Sequence, residues 1–163
     1  MATPLKLPPQ NLDAESSVLG ALMIDKDAII RVADLLIPDD FYKPAHTKIY
    51  EAILKLFEAR QPIDILSVTT RLKEWNVLTE IGGSSYLTEL VNSVPTASHV
   101  AHYAKIVREK RILRDLVSAG AEITESAFKP GDDIEVTLDD IEQKIFAISQ
   151  RSTTQRFSPV RED

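Results

Sequence analysis

No cysteine occurs anywhere in the 163 residues. That absence excludes disulfides, thiolate nucleophiles and cysteine-based zinc sites together, and it fits a reducing cytosol. Aromatic residues amount to 6% and glycines to five, and strand-favouring runs of Val, Ile, Thr and Tyr are rare. Such a composition points to a helical protein. No apolar stretch approaches the ~20 residues needed to span a bilayer. The opening MATPLKLPPQ lacks the apolar core of a secretory signal. The expected location is therefore the cytoplasm, away from membranes. A basic surplus is missing as well: the net charge is −6 and the pI is near 5.1. A domain that grips DNA by itself usually carries the opposite balance, so protein partners are the better first expectation. What is present is a hydrophobic fraction of 44%, enough for a packed core.

Catalytic motifs are missing too. The sequence holds no G-x-x-x-x-G-K-[ST] phosphate loop, no G-x-S-x-G and no H-E-x-x-H. Paired carboxylates occur at Asp39-Asp40, Asp132-Asp133 and Asp139-Asp140. Adjacent residues on a helix face different ways, so these pairs read as caps and first-turn charges rather than metal clamps. His99 and His102 share a helix face, but no third ligand is identifiable nearby, and a wet helix face is the simpler reading. His46, near a helix start, is less informative still. Trp75 and Tyr86 sit at core-like spacing, which favours packing for both, more firmly for Trp75. No catalytic residue, metal site or cofactor is expected within this chain.

Proline supplies most of the punctuation. Asn11 can cap a first helix, with Asp13 and Glu15 favourable in its first turn and Leu12, Val18, Leu19, Leu22 and Met23 on its apolar side. A second helix starts at Asp25 or Asp27 and buries Ile29, Ile30, Ala33 and Leu36, and Ile37-Pro38 stops it. Pro44 suits the first turn of a third helix carrying Ile49, Ile53, Leu56 and Phe57. Asp64 caps a fourth, with Val68, Leu72 and Trp75 inward. Gly82-Gly83 is a turn signal before a fifth that presents Tyr86, Leu87, Leu90, Val91 and Val94. Residues 1–95 thus read as a globular head of five short helices.

From Thr96 the character changes. No Pro or paired Gly interrupts the chain until Lys129-Pro130-Gly131, a run of ~32 residues or ~48 Å of helix. Ile106, Leu113, Leu116 and Ile123 recur along it at heptad-like spacing. A second helix from about Thr137 to Gln150 repeats Leu138, Ile141, Ile145 and Ile148 in steps of three, four and three. Two such helices joined by a turn make an antiparallel hairpin over 96–150. Val107, Ile112, Val117 and Phe146 lie off its main seam, so cover must come from the head or from another chain. Leu138, Ile141, Ile145 and Phe146 are the expected self-association residues. The tail from 151 to 163 has no periodicity and reads as a linker, with Ser158-Pro159 resembling the start of another helix. The fold class expected is all-α, a small globular bundle followed by a long helical hairpin.

Charge is unevenly placed on the hairpin. Lys105, Arg108, Arg111 and Arg114 recur every three residues, with Lys110 beside them. From Asp115 to Glu142 nine acids face Lys129 alone. The basic stripe can be a nucleic-acid contact or a solvated helix face. It can also be an orienting contact, if two hairpins pack antiparallel and each basic base meets an acidic tip.

Three stretches carry a family resemblance: LPPQNLDAESSVLGALMID at Leu7 to Asp25, IPDDFYKPAHTKIYEAI at Ile37 to Ile53, and GGSSYLTELVNSVPTASHVAHYAKIVREKRILRDL at Gly82 to Leu116. The chain resembles, along essentially its whole length, the N-terminal region of DnaB-type replicative DNA helicases. The resemblance implies a collar domain whose hairpins pair between subunits, three dimers forming a hexameric ring. It implies that the collar receives the C-terminal domain of primase. By this resemblance the primase-binding positions fall on Tyr86, Val117, Ile123 and Asp13. ATP, Mg and most DNA contact would belong to a motor domain following the linker, and a helicase loader remains a further partner to consider. Two other classes stay open at this point: a stand-alone helical DNA-binding module, and the helicase-binding domain of a primase.

Overall fold

A computed structural model describes residues 6–129, 131 and 133–156. Seven α-helices are found among them: α1 (Leu12–Ile24), α2 (Ala28–Val32), α3 (Pro44–Glu58), α4 (Ile65–Glu74), α5 (Gly83–Asn92), α6 (Val100–Phe128) and α7 (Ile134–Arg156). Short 3₁₀ turns at Pro38–Asp40 and Ala97–His99 precede α3 and α6, and no strand occurs among the described residues. The all-α class expected from composition is the class observed.

The helix starts lie where local chemistry puts them. Asn11 accepts from the Ala14 N–H at 3.0 Å, Asp64 from the Ser67 N–H at 2.8 Å, and Thr96 from the Ser98 N–H at 3.3 Å. Each satisfies a backbone donor that the first turn leaves without an intrahelical partner. Pro44 occupies the first position of α3. Gly82 and Gly83 turn the chain into α5 with φ of 109° and 77°, a region that side chains with a Cβ seldom enter.

The chain divides into two compact units, residues 1–111 and 112–163. In the first, α1 is the central element and packs against α3 and α5. Nine of its residues are buried, and the core around them includes Leu19, Leu22, Ile29, Ile49, Ile53, Leu72, Leu87 and Leu90. This unit runs past residue 95 because the first turns of α6 belong to it: Val100, Ala104 and Val107 are buried in the same core. Three residues expected on apolar helix faces are not inside. Ile30 is 65% exposed, and Leu12 and Phe57 are each 38% exposed. α2, a helix of five residues, turns Ala28, Ile29 and Val32 inward, which leaves Ile30, about 100° round the helix from Ile29, on the outer face. Asp25 does not cap it in the ordinary way; its Oδ1 accepts from the Asp27 N–H and its Oδ2 pairs with Arg31.

The second unit is the remainder of α6 followed by α7, a helical hairpin. Lys144 Nζ lies 2.7 Å from Glu122 Oε2 across the two helices, and this bond holds the Lys144 ammonium above its ordinary pKa. α7 extends to Arg156, beyond the expected end at Gln150. Residues 157–163 of the expected linker, with Ser158-Pro159, lie outside the described residues, as do Pro130 and Asp132 of the turn. No helix among the described residues is long and apolar enough to cross a membrane.

Candidate functional site

The first two turns of α1 and α5 from Tyr86 onward line a groove of about 390 Å³. Asp13, Ser16, Tyr86, Glu89, Leu90 and Ser93 are among its lining residues. Tyr86 and Asp13, distant in sequence, are thus brought to one site. Asp13 is exposed and Tyr86 half-buried, so the groove offers one aromatic face with carboxylates from Asp13 and Glu89 at its edge.

Beneath the ring of Tyr86 lies a polar chain that the periodicity argument missed. Glu15 and His46 are each 1% exposed. His46 Nδ1 is 2.8 Å from Glu15 Oε1, and His46 Nε2 is 2.7 Å from the Tyr86 hydroxyl. Glu15 also accepts from the Tyr42 N–H at 2.8 Å and the Lys43 N–H at 3.3 Å. Lys43 Nζ donates to the Tyr86 hydroxyl at 3.0 Å. A buried carboxylate is costly unless its lone pairs are occupied, and here three donors occupy them. A sequence signal existed. Glu15 lies three and four residues before Val18 and Leu19, on the apolar side of α1, and His46 stands likewise before Ile49 and Tyr50. Two polar residues on two buried faces need a partner, and they are each other's.

The other primase-binding positions implied by the resemblance lie in the second unit. Val117 is 60% exposed and Ile123 half-buried. Of the self-association candidates, Leu138, Ile145 and Phe146 are exposed and Ile141 is half-buried. Leu113 and Leu116 are exposed as well, so the hairpin leaves an apolar stripe in water.

The basic stripe is less free than its spacing suggests. Lys105 is exposed, whereas Arg108, Arg111 and Arg114 are half-buried. Arg111 donates to the Asp39 carbonyl and lies 4.0 Å from the Asp40 carboxylate. Asp40 itself is fully buried and accepts from the Ile37 N–H at 2.9 Å, the capping role expected of that carboxylate pair. His99 and His102 are exposed. No group of three or more His, Cys, Asp or Glu able to hold a metal ion is found among the described residues.

Residues 7–109 match the family model described as DnaB-like helicase N terminal domain. The chain is 42% identical over 157 residues to the replicative DNA helicase DnaC of Bacillus subtilis, and 41% identical over 157 residues to the replicative DNA helicase DnaB of Geobacillus stearothermophilus. Each alignment covers 96% of this chain and 35% of the relative. The chain therefore spans about a third of the length of these relatives. Among solved structures, it superposes on the N-terminal domain of DnaB helicase from Mycobacterium tuberculosis with a TM-score of 0.83 and 41% identity, covering 87% of this chain and 99% of that one. A second, described as a DnaB-like replicative helicase and its interactions with primase, gives a TM-score of 0.70 at 26% identity, covering 85% of this chain and 31% of that one.

Proposed function

Because the chain belongs to the DnaB-like helicase N-terminal domain family, we propose that it serves as the collar of a cytoplasmic replicative helicase, assembling the ring and docking primase. The observation that carries the docking reading is the groove between α1 and α5, where Tyr86 and Asp13 converge. The likeness to a helicase described with its primase interactions supports the choice of partner. Val117 and Ile123, in the second unit, are assigned as further primase-binding positions. An aromatic anchor flanked by carboxylates is the kind of feature on which interface energy concentrates.

Ring assembly is assigned to the hairpin, through Leu138, Ile141, Ile145 and Phe146. The support is the exposed apolar stripe of α6 and α7, which two helices alone do not cover. ATP hydrolysis, Mg binding and most DNA contact are assigned to a motor domain outside this chain. The chain itself should show no saturable ATP binding by calorimetry, since no phosphate loop is present. The matches are to helicases, which disfavours the primase-end alternative, and the engagement of Arg111 weakens the DNA-module alternative.

The direct test is titration of the chain with the C-terminal domain of the cognate primase, repeated with Asp13→Lys and with Tyr86→Ala. Loss of a central aromatic anchor typically costs ~1–4 kcal/mol of binding. Asp13→Lys should act mainly on the association rate. Wild-type affinity in both variants, with the fold intact, would remove the groove from the docking surface.

A further inference from the structure

We infer that His46 is a positioning residue for this groove: by bridging the buried Glu15 carboxylate to the Tyr86 hydroxyl, it holds the Tyr86 ring in the orientation that meets the partner. The inference rests on the groove being the docking site proposed above, and it adds a regulator of that site that touches no partner itself.

The hydrogen bonds in this chain run in one direction. A carboxylate only accepts, so the His46 nitrogen facing Glu15 at 2.8 Å, Nδ1, carries a proton. Lys43 Nζ can only donate, and it donates to the Tyr86 oxygen at 3.0 Å. The single phenolic hydrogen of Tyr86 is then directed to His46 Nε2 at 2.7 Å, which accepts it. The sequence of donors is Lys43, Tyr86, His46 and finally Glu15, with imidazole as the Nδ1–H tautomer. In this order each donor faces one acceptor along the whole chain.

The Tyr86 and His46 rings joined by this bond are nearly parallel, with centroids 6.0 Å apart and planes 14° from parallel. The Lys43 ammonium lies 4.5 Å from the Tyr86 ring centroid. His46 is itself wedged by the edge of Phe41, at 6.4 Å and 80°, and Phe41 is buried. An aromatic side chain fixed before association gives up little rotamer freedom on binding. That pre-organisation corresponds to roughly two- to tenfold in affinity per side chain.

His46 is almost fully buried and cannot itself contact a docked protein, so an effect of its substitution on docking must pass through Tyr86. The test is a double-mutant cycle of His46→Gln and Tyr86→Phe in the whole chain, measured by calorimetry against the C-terminal domain of the cognate primase. Each single variant should weaken binding by roughly two- to tenfold, and the double variant should be no weaker than either alone. The imidazole ¹⁵N spectrum supplies a readout that a merely structural role would not move. Wild type should show a protonated Nδ1 and an accepting Nε2, and Tyr86→Phe should shift the Nε2 resonance selectively.

Additive losses in the cycle, or wild-type affinity in His46→Gln while Tyr86→Ala binds weakly, would overturn the inference and leave the groove as the docking site. Wild-type affinity in both Tyr86→Ala and Asp13→Lys would instead remove the docking reading, and the inference with it. Should His46→Gln fail to fold, the Tyr86→Phe spectrum decides: an unmoved Nε2 resonance overturns the relay.

Discussion

Gly20 and Leu90 hold α1 and α5 in direct backbone proximity: a Cβ placed on Gly20 would lie 2.3 Å from the Leu90 carbonyl oxygen and 2.3 Å from the Val94 side chain. The nearest atom belongs to the backbone of a helix and cannot rotate away. The two walls of the groove owe their spacing to this one missing methyl group.

Gly20→Ala should therefore destabilise the head by about 1–3 kcal/mol, the range for overpacking a well-packed core, and move Asp13 relative to Tyr86. Helix propensity alone would push the other way, since Ala is the better helix former. Urea unfolding monitored by far-UV circular dichroism settles the sign, and a midpoint at or above wild type would show that α5 shifts freely.

Removing the carboxylate at the base of the relay should be costly. Glu15→Ala strands the Tyr42 and Lys43 N–H groups and His46 Nδ1 at one buried spot. Unsatisfied buried polar groups cost ~1–3 kcal/mol each, and breaking a buried charge-assisted cluster ~3–5 kcal/mol in all. Glu15→Gln keeps the volume and one acceptor, and should lose less. A thermal midpoint for Glu15→Ala equal to that of Glu15→Gln would contradict this account.

On the hairpin, a charge should cost association rather than folding. Phe146 is 63% exposed and Ile145 46% exposed in the single chain, so neither side chain supports the hairpin alone. Ile145→Glu and Phe146→Glu should reduce the sedimenting mass while helicity survives. If basic and acidic segments also orient two hairpins, high salt should weaken association modestly. Identical sedimentation of both variants and wild type would place the self-association surface elsewhere.

Alkaline pH probes the core. Tyr50 is fully buried and donates to the Leu36 carbonyl at 2.9 Å. Burial first, then the charges of Asp40 and Asp34, push its ionisation well above the ordinary 10.0. The unfolded chain releases this proton earlier than the folded one. The stabilisation is thus complete below pH 10.0 and is lost as pH rises beyond it. Tyr50→Phe should cost about 1–3 kcal/mol near neutral pH by leaving the Leu36 carbonyl unsatisfied, and should flatten the alkaline decline. Parallel pH profiles for the two proteins would argue against Tyr50 as the source.

By itself the sequence determined the helices, because caps and breakers act within a few residues. Asn11, Pro44, Asp64, the Gly82-Gly83 turn and Thr96 mark starts that the structure keeps. It also carried the family, through contiguous stretches such as Gly82 to Leu116. Tertiary structure alone decided which polar groups meet. Glu15 and His46 are 31 positions apart, and Arg111 reaches back 72 positions to Asp39. Neither partnership follows from spacing along one helix, since it depends on how helices cross. It was packing, too, that left Ile30 in water, drew Val100, Ala104 and Val107 into the head, and brought Asp13 beside Tyr86. Periodicity tells which face of a helix is apolar, but burial is settled by the element that covers that face, and in this chain that element is distant in sequence.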